Sequence, residues 1–218
     1  MKRFDEKTVK NLLDQLGGKD KFTMEHSLRV SKLAGDFARH LGWKKENIAK
    51  LKIAAMLHDL GKLDIPDEIF CKIRKASTLT DEDKKTIRQH TGHFGILEEY
   101  ENIPKSVKDT LKYHHEKHDG TGYHEGLRGD EIPEGVKIVA IADYYDTVIV
   151  QRPNKVPVGM VPLSKDEAIR IMIENTASRF DPKLMTRFLE LILGKTSKEE
   201  KEPAKNEDDL MSAGSCGD

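Results

Sequence analysis

The chain has 218 residues, of which 37% are hydrophobic and 34% charged, and its net charge is −1. That length allows one full-sized domain with a real core, and the charged fraction fits a well-solvated, mostly helical surface. The near-neutral balance argues against polymeric nucleic acid or a membrane surface as partner, and leaves room for a small anionic ligand held by a local site.

The two cysteines, Cys71 and Cys216, are far apart and imply no disulfide framework. The basic start at Met1-Lys2-Arg3 leads into charged helix rather than an apolar signal core. No stretch approaches the roughly 20 apolar residues that span a bilayer. A soluble, cytoplasmic protein is expected.

Taken in order, residues 5–16 read as a short helix capped by Asp5, with Val9, Leu12, Leu13 and Leu16 inside and Gly17-Gly18 as its stop. A longer helix is expected from Thr23 to Leu41, with His26 in its first turn. A third runs from Lys45 to Leu60 and breaks at Gly61. Ile65-Pro66 opens a loop and a short turn through Phe70. Thr80-Asp81-Glu82-Asp83 is a capping box for a helix carrying Ile87, His90, Phe94, Ile96 and Leu97. Pro104 begins a helix to 115 that ends at His114-His115-Glu116.

Residues 117–134 form a loop with Gly120, Gly122, Gly126 and Gly129. A loop of this length in a compact domain points to function. The apolar run Val136–Val150 reads as helix rather than strand because of its length, and it holds Asp143. Pro153, Pro157 and Pro162 exclude regular helix over 151–163. Ser164-Lys165-Asp166-Glu167 caps a helix over 165–176, and Asp181-Pro182 starts the last one, to Leu193. Residues 1–194 are expected to form one all-α bundle, and 195–218, charged and nearly free of apolar residues, a disordered tail.

Seven side chains at helix ends or on inward faces could ligate metal: His26, His58, Asp59, His90, His114, His115 and Asp143. Five imidazoles and two carboxylates suit two divalent ions that share a carboxylate. A nitrogen and oxygen set without thiolate favours Fe, Mn, Zn, Ni or Co. Two such ions about 3.5–4 Å apart can clamp the attacking and leaving oxygens of a phosphoryl transfer. Lys62, just past the helix end, suits a phosphate oxygen and could neutralise charge in the transition state. Tyr123 in the glycine-rich loop offers a stacking face for guanine. Asp146, one turn after Asp143, reads as a supporting residue, and Glu116 as an orienting carboxylate or a cap.

These pieces together resemble the HD-GYP family of HD-domain metal phosphohydrolases. The match is carried by His58-Asp59-Leu60-Gly61-Lys62 with Ile65-Pro66, by His90 with Gly95, and by His114-His115-Glu116-Lys117-His118-Asp119-Gly120-Thr121-Gly122-Tyr123. It continues through Gly126-Leu127-Arg128-Gly129, Ile132-Pro133, Ala142-Asp143-Tyr144-Tyr145-Asp146, Arg152-Pro153 and Phe180-Asp181-Pro182, so that it covers roughly residues 20–193.

The resemblance implies an HD-domain helical bundle with a long glycine-rich loop, two divalent metal ions (Fe or Mn, with Zn, Ni or Co as alternatives) and hydrolysis of cyclic di-GMP to pGpG or GMP. It implies that His26, His58, Asp59 and Asp143 hold one metal and that His90, His114 and His115 hold the second, with Asp59 bridging. Lys62 then contacts the scissile phosphate, and Arg152 and Lys155 grip the ligand's other phosphate or a guanine. The glycine-rich loop is the expected place for a protein partner. The chain departs from the family at Gly122-Tyr123-His124, where the signature has proline, and at Phe22, where three-metal members have glutamate; two metals are expected here. Two other readings compete with this one: an HD phosphohydrolase acting on another nucleotide or cyclic dinucleotide, and a non-catalytic cyclic dinucleotide receptor.

Overall fold

The structure, a computed structural model, describes residues 2–75, 77–92, 95–150 and 164–194. Asp5 starts the first helix by accepting the Thr8 amide at 2.9 Å, and α1 spans Glu6–Lys19. It therefore passes through Gly17 and Gly18, which the sequence marks as a stop. The boundary falls instead at Asp20. Its amide closes α1 on Leu16 O at 2.8 Å, and its carboxylate caps the next helix at the Thr23 amide at 3.0 Å. That helix, α2, spans Lys21–His40. A Cβ on Gly17 would lie 2.5 Å from Met24 Sδ, so the glycine serves the close approach of α1 to α2.

Helix α3 spans Lys45–Leu57, three residues shorter than expected, and a 3-10 turn covers Leu60–Asp64. Gly61 lies inside that turn rather than breaking a helix. A Cβ there would stand 1.9 Å from the carbonyl oxygen of His90, so only glycine lets the two backbones meet. Helix α4 spans Asp67–Arg74, where only a short turn is expected. Helix α5 spans Asp81–Arg88 and has the anticipated capping box at Thr80. It gives way to 3-10 turns at Gln89–Thr91 and Gly95–Glu99, so His90 sits on a turn and not within a continuous helix.

Helix α6 spans Lys105–Tyr113, and α7 spans Glu134–Ile149, a helix as its length implies. Helix α8 spans Lys165–Glu174 and α9 spans Pro182–Leu193, closed by Gly194 at φ 73°. The one sheet among the described residues is a parallel pairing of Lys2–Arg3 (β1) with Tyr100–Glu101 (β2), which ties the N-terminal segment to the chain ahead of α6. The readings of 151–163 and 195–218 lie outside the described residues.

Two apolar cores meet at α3. Ile48, Leu51 and Ala55 join Phe37, Ile138, Ile141, Met185 and Phe188 in one core. Ala54 and Leu57 join Leu12, Leu60, Val107 and Leu111 in the other. A helix that is apolar on several sides belongs in the interior. The C-terminal end of α3, where the His58-Asp59 pair follows, is thereby held between α2, α6 and α7. No helix among the described residues is long and apolar enough to cross a membrane.

Candidate metal centre

Three of the histidines are presented in the same way. His58 Nδ1 donates to Ala55 O at 2.8 Å, His90 Nδ1 to Ile87 O at 2.5 Å, and His114 Nδ1 to Thr110 O at 2.9 Å. A carbonyl can only accept, so Nδ1 carries the proton and Nε2 is left with its lone pair free. His26 uses a side chain for this purpose. Its Nδ1 is 2.7 Å from Asp146 Oδ2, and Arg29 grips Asp146 with Nε on Oδ1 at 2.8 Å and a terminal nitrogen on Oδ2 at 2.9 Å. Asp146 is thus the supporting residue that its spacing implies. Arg29 went unnoticed in the sequence, although three positions after His26 puts it on the same helical face.

The ligand atoms gather into three overlapping groups: His26, His58 and Asp143; His90, His114 and His115; and His58, Asp59 and His114. Within each group they lie within 4.8 Å of one another. All seven anticipated residues are therefore brought together. Asp143 Oδ1 is 3.0 Å from His26 Nε2 and 3.8 Å from His58 Nε2. Asp59 faces both sides: Oδ2 is 3.3 Å from His58 Nε2, and Oδ1 is 3.6 Å from His90 Nε2 and 3.9 Å from His114 Nε2.

Burial and the neighbouring charges together set the charge of these groups. It holds His90 and His114 below the usual imidazole value and pushes His115 down to about 3, with neighbouring imidazoles adding to the effect at His114 and His115. Burial opposes ionisation of Asp59, but Lys62 and His58 more than offset it and hold its carboxyl well below the usual range. At Asp143, burial is again outweighed, here by the hydrogen bond from His26. Burial also opposes charge on His26, yet its bonds to Asp143 and Asp146 raise it to about 9.

The neutral imidazoles of His90, His114 and His115, beside ionised carboxylates, are a ligand set for a divalent cation, and a cation bound at His26 would displace the proton it otherwise shares with Asp143. Nε2 of His90 and Nε2 of His114 are buried without a hydrogen-bond partner. Such orphaned nitrogens are costly, and a cation between the groups would satisfy them. The residues fit a metal.

The glycine-rich loop closes over this cluster. Glu116, buried, accepts the amides of Glu125 at 2.6 Å and Gly126 at 3.1 Å, so it pins the loop rather than orienting an imidazole. A Cβ on Gly122 would lie 2.5 Å from Glu116 Cα, which ties the loop to the backbone behind His115. Tyr123 packs against His115 with centroids 5.0 Å apart and rings inclined by 35°, and the Arg88 guanidinium lies 5.6 Å from the Tyr123 centroid. His124 Nε2 would stand 2.7 Å from a Cβ on Gly92, so this residue, where the family has proline, rests on the turn that carries His90. Phe22 faces the Arg29 guanidinium at 5.8 Å. Arg152 and Lys155 lie outside the described residues.

A sequence profile of the family described as HD domain matches residues 10–184. The chain is 34% identical over 190 residues to a cyclic di-GMP phosphodiesterase of Thermotoga maritima, covering 86% of this chain and 49% of that protein. It is 33% identical over 165 residues to the 3′3′-cGAMP-specific phosphodiesterase 3 of Vibrio cholerae, covering 75% of this chain and 34% of that one. The HD domain of the L. monocytogenes phosphodiesterase PgpH, solved in complex with cyclic-di-AMP, shares the fold at a TM-score of 0.57 and 17% identity, over 84% of this chain and 94% of that one. The chain thus spans half or less of the length of these two curated relatives.

Proposed function

Because the chain belongs to the HD domain family, we propose that it is a metal-dependent phosphodiesterase that hydrolyses cyclic di-GMP to pGpG or GMP. The observation that carries this reading is the division of Asp59 between two imidazole sets, one oxygen toward His58 and the other toward His90 and His114. In the proposed site, His26, His58 and Asp143 would hold one ion, His90, His114 and His115 the other, and Asp59 would be shared between them. Bound there, two divalent ions, Fe or Mn first among them, supply Lewis-acid polarisation of the phosphoryl oxygens and an activated water.

The protein's own side chains do the rest. The Nδ1 bonds to backbone carbonyls and to Asp146 fix the ring orientations before any ligand arrives. Asp59 and Asp143 offset the charge of the cations. Lys62, half-buried beside Asp59, is placed to turn its ammonium to the scissile phosphate and stabilise charge as the bond breaks. The loop held by Glu116 and Gly122 shields the cluster and brings Tyr123 beside it. Arg152 and Lys155 remain the proposed contacts to the rest of the ligand.

The test is turnover. The purified chain, loaded with Fe or Mn under reducing conditions, is expected to convert cyclic di-GMP to pGpG or GMP, and chelation is expected to stop it. No product from any cyclic dinucleotide would overturn the reading. A second reading, a different cyclic dinucleotide as preferred substrate, is favoured by the relative named for 3′3′-cGAMP, and a substrate panel decides between the two.

A further inference from the structure

Four rings form a continuous column from the interior to the surface. His58 and His114 have centroids 5.1 Å apart, His114 and His115 4.1 Å, and His115 and Tyr123 5.0 Å. His58 and His114 are fully buried, whereas His115 and Tyr123 are half-buried. The column ends at Arg88, an exposed residue in the last turn of α5, two positions before His90. Arg88 makes no ion pair among the described residues, in contrast to Arg29, which is committed to Asp146.

A guanidinium laid against an aromatic ring keeps its N–H edge available. That edge matches a phosphate with two parallel hydrogen bonds. Arg88 is exposed and meets Tyr123, which in turn rests on the ligand candidate His115, so a phosphate other than the one at the metal centre is the group it is suited to meet. Tyr123 meanwhile has His115 against it and Arg88 over it, which leaves little open face for a base.

We propose that Arg88 is a specificity-determining residue that receives the phosphodiester not being cleaved, and that Tyr123 is its support rather than a stacking surface for guanine. The proposal rests on the cyclic dinucleotide reading given above. It predicts that selection between a cyclic dinucleotide and a simple phosphodiester is made at Arg88, while the metal centre serves both.

The experiment compares the full chain with Arg88→Gln and Arg88→Lys. Equilibrium binding of a hydrolysis-resistant phosphorothioate analogue of cyclic di-GMP is read by calorimetry, with turnover and metal content measured in parallel. Arg88→Gln is expected to raise the Kd and the KM for cyclic di-GMP about tenfold with little change in kcat and with the same metal content. Its loss on cyclic di-GMP should exceed its loss on bis(p-nitrophenyl) phosphate by a similar factor. Arg88→Lys should recover part of the affinity, because the charge returns without the fork.

Unchanged analogue binding in Arg88→Gln would overturn the proposal and leave the phosphodiesterase reading standing if turnover persists. Equal losses on both substrates, or reduced metal content, would also overturn it, by showing that Arg88 only props the loop. Arg88-dependent binding without any turnover would uphold the contact and refute the phosphodiesterase reading. A wild-type chain that binds no analogue would refute both.

Discussion

Lys62 holds its ammonium 2.5 Å from Asp59 Oδ2, the same oxygen that stands 3.3 Å from His58 Nε2. The lysine thus neutralises the carboxylate on the side where a cation between His58 and Asp59 would act. With the carboxylate committed to a cation there, the Lys62 ammonium would be available to a phosphate oxygen. Lys62→Ala is therefore expected to keep its metal content by elemental analysis while turnover of cyclic di-GMP falls by about 10²-fold or more. Loss of metal along with activity would assign Lys62 to holding Asp59 instead.

Among the described residues, Asp59 is the one carboxylate with oxygens within 4 Å of both imidazole sets. Asp59→Ala is expected to lose at least one of two metal ions per chain, because neither remaining triad regains the shared oxygen. Elemental analysis after gel filtration checks this. Unchanged stoichiometry would refute the bridge.

The Arg29–Asp146–His26 relay leads to a separate expectation. Removing the fork with Arg29→Ala leaves Asp146 free to turn away from Nδ1 of His26. The affinity of the His26, His58 and Asp143 group for Mn²⁺ should fall by about 10- to 100-fold, as for other groups that orient a ligand from behind. Competition with a chromophoric chelator reads the affinity. The other triad serves as the internal comparison.

Gly61→Ala tests the contact between the two 3-10 turns. A methyl 1.9 Å from His90 O forces the backbones apart. We expect a loss of about 1–3 kcal/mol or more in urea unfolding, as for other overpacked interior sites. Metal loss at the His90 triad should accompany it, since His90 is carried by the displaced turn.

Asp181 supports the site from a distance. It caps α9 at the amides of Lys183 and Leu184 and pairs with Lys137 of α7 at 3.0 Å. Burial alone would raise its pKa, but Lys137 and the backbone bonds lower it. A carboxyl lowered on folding contributes stability that is full above its unfolded pKa and is lost as pH falls through the folded value. Asp181→Ala should cost about 1–2 kcal/mol at neutral pH, and the gap to wild type should narrow below about pH 4. A gap that stays constant down to pH 2 would contradict this role.

Much of the candidate site was legible in the linear chain because its candidate ligands are unusual residues in diagnostic places. A His-Asp pair ending an apolar helix, a His pair at the end of another and an Asp within an apolar run each stand out against their surroundings. Asp146 could be inferred from its spacing to Asp143, as could the capping boxes at Thr80 and Ser164. Arg88 left no such signal, and Arg29 left only its place three positions after His26. A charged residue on a helix looks the same whether it meets solvent, a carboxylate or a ring, and only the partner element tells these apart. The glycines misled for a related reason: Gly17 and Gly61 read as stops, but each is small because another chain segment presses on it.

The sequence alone determined the helical class, the seven candidate ligands and the chemistry such a set favours, since these depend on residue type and local period. The tertiary structure decided how the ligands are shared. Asp59 became the residue between two imidazole sets only because the turn carrying Gly61 packs on the turn carrying His90. Glu116 became the anchor of the glycine-rich loop, and Tyr123 the link between His115 and Arg88. Each of these outcomes depends on contacts between segments distant in sequence, and local propensity carries no information about which distant segment will arrive.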